Sequence, residues 1–338
     1  MTQRYALSAR LVWLMAVPVV MMALVACSHH SHRSRPANTS ISEVRYVMGT
    51  LLDISLYAPL QEDGRAILNE TFKVAEDLDS LLSTYKGDSA VSRFNRDTDT
   101  SERPIPRDLC ELVGASQNLS AKTAGAFDIS VRPLVDLWHA AAKRGTTPSQ
   151  QEIVNATSSV GPSALSLSPT CALAKRSPQV AIETGGIGKG FAVDKMVTHL
   201  KERGIRAAFI NFGRSSLAAI GAPPGEQGWP VSLELADGSR DGELVLRDET
   251  LSVSRAKGTP FVVAGVRYAH IFDPASGRPV GISRGAAIRG PSATYGEALV
   301  KYLVIRGAPP NSLAASWGTT EWLVKTDRKL TSSSGFFK

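Results

Sequence analysis

Apolar positions recur along this chain at two periods, two and 3.6 residues, and each switch of period marks a boundary between elements. Over residues 44–56, Leu52, Ile54 and Leu56 alternate as in a half-buried strand, and the segment predicts an opening strand pair. Residues 62–83 change to helical spacing, with Ile67, Phe72, Ala75, Leu78 and Leu82 on one face. Residues 107–123 predict another helix, and residues 144–178, rich in Ser, Thr and Pro, predict loops with one short helix. Val180-Ala181-Ile182 reads as a short buried strand. After a glycine-rich stretch, Val193, Met196, Val197 and Leu200 fall at i, i+3, i+4 and i+7. That helix closes on Lys201-Glu202-Arg203-Gly204, a basic last turn with a glycine stop. Residues 207–213 predict a buried strand, and 217–221, 229–234, 243–246 and 251–254 continue the sheet. Residues 292–305 predict a last helix. From about residue 43 to 338 the pattern describes one α+β domain of mixed sheets with flanking helices.

The stretch Glu183-Thr184-Gly185-Gly186-Ile187-Gly188-Lys189-Gly190 stands between a strand and a helix. Backbone without Cβ atoms lets N–H groups approach an anion, the helix N-terminus adds a favourable field, and Lys189 adds a cation. One reading is therefore a site for a phosphate-bearing ligand. The other is a glycine-rich tight turn, because the spacing matches neither G-x-x-x-x-G-K-[ST] nor G-x-G-x-x-G.

The first residues carry a different pattern. Arg4 and Arg10 precede an apolar run over 11–26, which is short for a membrane-spanning helix and ends in Leu24-Val25-Ala26-Cys27. This is similar to a bacterial lipobox, which implies a signal peptide over 1–26 and an acylated Cys27. An uncleaved N-terminal anchor is the alternative. Ser28 follows the cysteine, with no Asp to imply inner-membrane retention. Residues 28–42 are polar, with His29, His30 and His32, and read as a solvated tether. The formal charge of +7 falls by two if Arg4 and Arg10 are removed, and no basic block carries interleaved aromatics, which argues against nucleic acid as a partner. A mild positive balance suits an anionic lipid surface or an anionic ligand. Cys110 and Cys171 lie in neither C-x-x-C nor zinc spacing; they admit a disulfide in an oxidising compartment or two buried thiols.

The signature stretch, continued through Phe191-Ala192-Val193-Asp194, resembles that of the FAD:protein FMN transferases, the ApbE family. That family's string runs Asp-Gly-Gly-Ile/Val-x-Lys/Glu-Gly-Tyr/Phe-Ala-x-Asp in type. Further blocks agree in order: Met48-Gly49-Thr50, Leu82-Ser83-Thr84-Tyr85, Gly125-Ala126-Phe127-Asp128, and His270-Ile271-Phe272-Asp273-Pro274-Ala275-Ser276-Gly277-Arg278-Pro279. The last is the most specific. The tail, Glu321 to Lys325 and Thr331 to Phe336, matches the family's closing strands.

The resemblance implies FAD as the substrate, bound by Met48, Tyr85, Ala126, Phe127, Asp128, Glu183, Lys189, His270 and Ile271. His270 is then the base that prepares an acceptor hydroxyl, Thr or Ser, on a membrane redox subunit. It further implies Mg²⁺ held by the Gly186 carbonyl and by an Asp and a Thr four residues apart on the last helix. Those two positions are Glu297 and Lys301 here, and an ammonium has no lone pair with which to ligate. Arg132 stands where Gly is usual, and Arg214 and Arg255 replace small residues in Gly213-Arg214-Ser215 and Ser254-Arg255-Ala256. Two functions follow as expectations. The first is protein flavinylation by a lipid-anchored enzyme on the periplasmic side of a bacterial envelope membrane, inner or outer. The alternative is an FAD-binding lipoprotein that has lost transfer because Lys301 replaces a metal ligand.

Overall fold

The computed structural model describes residues 39–235, 240–255, 260–326 and 329–337; Cys27, the lipobox and the histidines at 29, 30 and 32 lie outside them. From Asn38 onward the chain is one compact unit. Its frame is an eight-stranded sheet of β1 (Thr39–Val47), β2 (Thr50–Ala58), β3 (Ala208–Phe212), β4 (Ser216–Ile220), β5 (Thr250–Arg255), β6 (Arg284–Gly290), β7 (Glu321–Thr326) and β8 (Leu330–Ser332). The strands lie side by side in that order, each antiparallel to its neighbours. Sheet order therefore equals chain order. Thr39 to Ser42, read from sequence as tether, are the first residues of β1.

The α+β class expected from the pattern is the one adopted. Helices α1 (Gln61–Leu82), α2 (Ala90–Arg96), α3 (Arg107–Lys122), α4 (Arg132–Arg144), α5 (Gln150–Thr157) and α6 (Gly188–Glu202) lie in the excursion between β2 and β3. Helix α7 (Ala293–Arg306) follows β6. In an antiparallel sheet covered on both faces, alternate residues serve two cores. Leu52, Ile54, Ile210, Phe212, Ala218, Ile220 and Ile288 pack with α1, α6 and α7. Their neighbours Leu217, Ala219, Leu251, Val253 and Ala287 pack with Leu233, Leu244, Leu246 and Phe336 on the other face.

That second face explains one difference from the sequence reading. Trp229–Leu233 does not extend the sheet but pairs with Gly242–Leu246 as a separate hairpin laid across it. Trp229 stacks on Phe209 at 5.5 Å, so the hairpin covers apolar surface that the sheet alone would leave wet. A second difference is at Val180-Ala181-Ile182, whose Val180 and Ile182 are buried but which joins no ladder. The Asn95 side chain takes the place of a partner strand, donating to the Ile182 carbonyl at 2.8 Å and accepting its N–H at 2.7 Å.

Of the two arrangements open to the cysteines, the chain adopts the disulfide. Cys110 in the first turn of α3 joins Cys171, with Cα atoms 5.5 Å apart and a sequence separation of 61. Closing a loop of that length restricts the unfolded chain, so replacing both cysteines with serine is expected to lower stability by about 2–4 kcal/mol. Scanning calorimetry of the oxidised parent against Cys110→Ser/Cys171→Ser checks this; equal melting temperatures would mean the bond contributes no stability.

Candidate active site

The site forms at one end of the sheet, where the β1–β2 turn, the β3–β4 turn and the end of β5 meet α6 and α7. Met48 and Gly49 make the first turn, both with positive φ, 48° and 76°. Gly213 opens the second at φ 64° and lies against Thr50, its N–H donating to the Leu51 carbonyl at 2.8 Å; a side chain there would run into Thr50.

The signature loop is a tight turn seated on the end of α1. The Ile187 and Gly188 N–H groups both donate to the Thr184 carbonyl, at 3.0 and 2.7 Å, and the Thr184 hydroxyl donates to Leu82. Its four glycines have unequal reasons. None has positive φ. Gly190 is demanded by packing: a Cβ would lie 2.3 Å from the Ala293 carbonyl oxygen and 2.8 Å from Glu297 Cγ, so α6 crosses α7 only over a bare backbone. At Gly188 a Cβ would make ordinary contact, 3.7 Å from Thr184. Gly186 lies beside Phe127 and Lys301, 3.5 and 3.8 Å from where its Cβ would be.

Ahead of the turn, Glu183 is held on three sides. Its N–H donates to Ile129 at 2.7 Å, one carboxylate oxygen accepts the Gly185 N–H at 2.8 Å, and the other accepts from Arg132 at 3.2 Å. Arg132 also holds Asp136 at 2.8 Å. The two departures from the family string, Glu at 183 and Arg at 132, thus touch each other. Asp128 accepts from Ser120 at 3.0 Å and from the Ser130 N–H at 2.9 Å, which locks the turn carrying the buried Ala126 and Phe127.

Helix α7 carries the charged centre. Asp194 on α6 caps it, accepting the Ala293 and Thr294 N–H groups at 2.8 and 2.9 Å and the hydroxyls of Ser292 and Thr294. One turn on, Glu297 is only 2% exposed. One of its oxygens accepts the buried Ser216 hydroxyl and has Lys189 Nζ at 3.8 Å; the other accepts Lys301 Nζ at 3.1 Å. Burial pushes the Glu297 carboxyl up, yet Lys301, then Lys189 and Ser216, together hold it below the ordinary carboxylate range.

His270 lies within the field of the same ammonium groups. Crowding by protein atoms, then Lys301 and Lys189, lower its imidazole to about 4, although the residue remains exposed at the surface. Its neighbours Ala269 and Ile271 turn inward and are buried, while Asp273, further along the string, is held by both terminal nitrogens of Arg306 at 2.8 and 3.0 Å. Tyr85, just past α1, is 92% exposed, its ring free of the core.

Met48, Phe127, Gly186, Lys189, Glu297, Lys301 and His270 therefore come from distant parts of the sequence to one end of the sheet. Two residues central to this arrangement had no role assigned from sequence. Asp194 was visible as the last residue of the signature string. Ser216 directly follows the Gly213-Arg214-Ser215 block and is the first residue of β4, which turns it inward. Arg214 and Arg255 lie apart from Glu297, lining an open cleft between the sheet and the Trp229–Leu233 strand.

A divalent cation does not fit these side chains. Mg²⁺ requires several oxygen ligands near 2 Å. Each Glu297 oxygen already accepts a hydrogen bond, one from Ser216 and one from Lys301, and Lys301 offers no lone pair. A doubly charged ion about 4 Å from either ammonium would be repelled by about 8 kcal/mol at an effective dielectric near 20. Among the described residues no cluster of three His, Cys, Asp or Glu side chains is arranged to hold a metal.

The Gly190 crossing is open to a direct test. Gly190→Ala is expected to cost about 1–3 kcal/mol through overpacking at α7, whereas Gly188→Ala stays near the parent. Chemical denaturation of the two variants, compared side by side, decides it; equal stabilities would show that the helices do not depend on this contact.

Comparison with known proteins agrees with the geometry. The model of the ApbE family matches residues 48–317. The FAD:protein FMN transferase of Klebsiella pneumoniae (strain 342) is 28% identical over 265 residues, 76% of this chain and 75% of that protein. That of Escherichia coli (strain K12) is 29% identical over 261 residues, 73% and 74% of the two chains. Among solved structures, the flavin transferase ApbE from Vibrio cholerae superposes with a TM-score of 0.76 at 24% identity, covering 88% of this chain and 98% of that one. The apo form of the Pseudomonas stutzeri flavinyl transferase ApbE gives 0.74 at 25%, covering 88% and 96%. With four fifths of its length matched by the family model and the same fold in solved members, this chain belongs to the ApbE family.

Proposed function

We propose that this protein transfers the FMN part of FAD to a Thr or Ser hydroxyl of an acceptor protein. The observation that carries the reading is the gathering of the Lys189 and Lys301 ammonium groups on Glu297 beside the signature turn, with His270 within their field. Membership of the ApbE family and similarity to proteins named FAD:protein FMN transferase support it.

The reaction is phosphoryl transfer. The acceptor oxygen attacks the FMN-side phosphorus, a new P–O bond forms, the pyrophosphate bond breaks, and AMP leaves with the bond's electron pair. His270 takes the hydroxyl proton; its lowered pKa keeps it unprotonated at neutral pH while making it a weaker base than an ordinary imidazole. Lys189 and Lys301 offset charge on the phosphates. The Met48 turn, the exposed Tyr85 ring and the 126–128 turn provide apolar and stacking surface for the isoalloxazine and adenine rings. No step is assigned to a metal ion, since the side chains present do not fit one.

The acceptor is expected to be a subunit of a membrane redox complex, met by this enzyme on the periplasmic side through a lipid on Cys27. A second reading, capture of FAD without transfer, is favoured by one observation: Glu297 is held by Ser216, Lys301 and Lys189, with two ammonium groups where a metal would lie.

Incubation with FAD and an acceptor domain, followed by a search for a fluorescent covalent band, separates the two: a band supports transfer, and bound FAD without one supports capture. His270→Ala is expected to slow transfer by about 10²–10⁴-fold while FAD still binds. Because the imidazole is lowered to about 4, the rate should be level across neutral pH and fall only as pH drops toward that value. A midpoint at the ordinary imidazole value would remove His270 as the base. In cells, Cys27→Ser is expected to abolish acylation and change processing; a variant acylated and processed like the parent would overturn the lipoprotein assignment.

A further inference from the structure

The centre on α7 holds more positive charge than its carboxylate needs. Glu297 is satisfied by the Ser216 hydroxyl and Lys189 on one oxygen and by Lys301 on the other, which leaves a surplus of one positive charge. A buried carboxylate with two cations and a hydroxyl donor keeps a partner when one cation turns to another anion. Lys301 is the cation placed to do so. Its side chain is 13% exposed, and its Cε lies 3.8 Å from the position of a Cβ on Gly186, so the ammonium stem runs along the signature turn. Lys189, 24% exposed at its side chain, remains on the Ser216 side of the carboxylate.

We infer that Lys301 is this site's built-in countercation, neutralising the phosphates of a bound nucleotide where a divalent metal ion would otherwise be required, so that nucleotide binding by this chain is metal-independent. The inference rests on the proposed reading of the site as one for FAD. It follows from charge and chemistry together: an ammonium beside Glu297, whether on the carboxylate or turned to a phosphate, repels a divalent ion from that position, and the same ammonium offers directional N–H donors to phosphate oxygens. An ammonium imposes no coordination geometry, so Lys301 serves binding by charge and hydrogen bonding alone.

The full chain, stripped with EDTA, is titrated with FAD by calorimetry in EDTA and again in excess MgCl₂. The dissociation constants are expected to agree within about twofold; tightening by tenfold or more with Mg²⁺ overturns the inference. Lys301→Met is expected to weaken metal-free binding by about 10- to 100-fold, as for loss of a charge-assisted hydrogen bond, and parental affinity in a folded Lys301→Met protein also overturns it. A measurement on the unmodified protein needs no variant: Mn²⁺ paramagnetic resonance without nucleotide should show only free ion, and stoichiometric bound Mn²⁺ would sink the assignment. Absence of FAD binding in both buffers defeats the nucleotide reading itself, and this inference with it. Binding that requires Mg²⁺ defeats only the role given to Lys301.

Discussion

A carboxylate buried to the extent of Glu297 survives as an anion only where its surroundings replace the water it has lost, and the architecture at this end of the sheet is arranged around that requirement. The first strand position after the β3–β4 turn must be a hydroxyl, Ser216, facing the helices. Helix α7 must present Glu297 and Lys301 one turn apart. Helix α6 must pass closely enough for Lys189 to reach the same carboxylate, which only the bare backbone at Gly190 permits. Asp194 then fixes the axial position of α7 by capping its first turn. Strand, turn and two helices are thus held in register by one ionised group.

The departures from the family pattern sort themselves by contact. Arg132 and Glu183 are bonded to each other, so the longer acid and the added cation form a compensated pair beside the signature turn. Arg214 and Arg255 line the opposite face of the sheet, where the Arg255 guanidinium reaches the Arg214 carbonyl, and they leave the charged centre untouched. Lys301 alone changes the chemistry of that centre.

Much of this was legible in the sequence because periodicity reports burial. The stripe of α1 predicted a helix whose observed bounds differ by one residue at each end, and the alternation in β2 predicted a strand pair over 44–56 that in the fold begins five residues earlier and ends two later. The motif strings marked Gly186, Lys189, His270 and Glu297 through residue type and order. What remained hidden depends on contacts that no local pattern records. Val180-Ala181-Ile182 has the composition of a strand, but its hydrogen bonds go to a side chain from α2. The paired strands Trp229–Leu233 and Gly242–Leu246 have strand periodicity, which cannot distinguish a strand beside the sheet from one laid across it. The pairing of Cys110 with Cys171 needed the fold to bring them together. Ser216 carries no signal of its own; only a register that points it at α7 gives it a role.

Sheet order equal to chain order has a consequence in time. Each strand from β1 to β8 can add to the one before it as the chain lengthens, yet the charged centre draws on Lys189 from the long excursion, Ser216 from β4, and Glu297 and Lys301 from near the C-terminal end. A nascent chain that has completed the signature turn still lacks both the acid and its second cation. Bridging such sequence distances is slow compared with forming neighbouring hairpins, and the β2–β3 ladder spans a longer gap still, so frame and centre alike wait on contacts between distant parts of the chain. The charged centre is thereby complete only when nearly the whole chain has been made and folded.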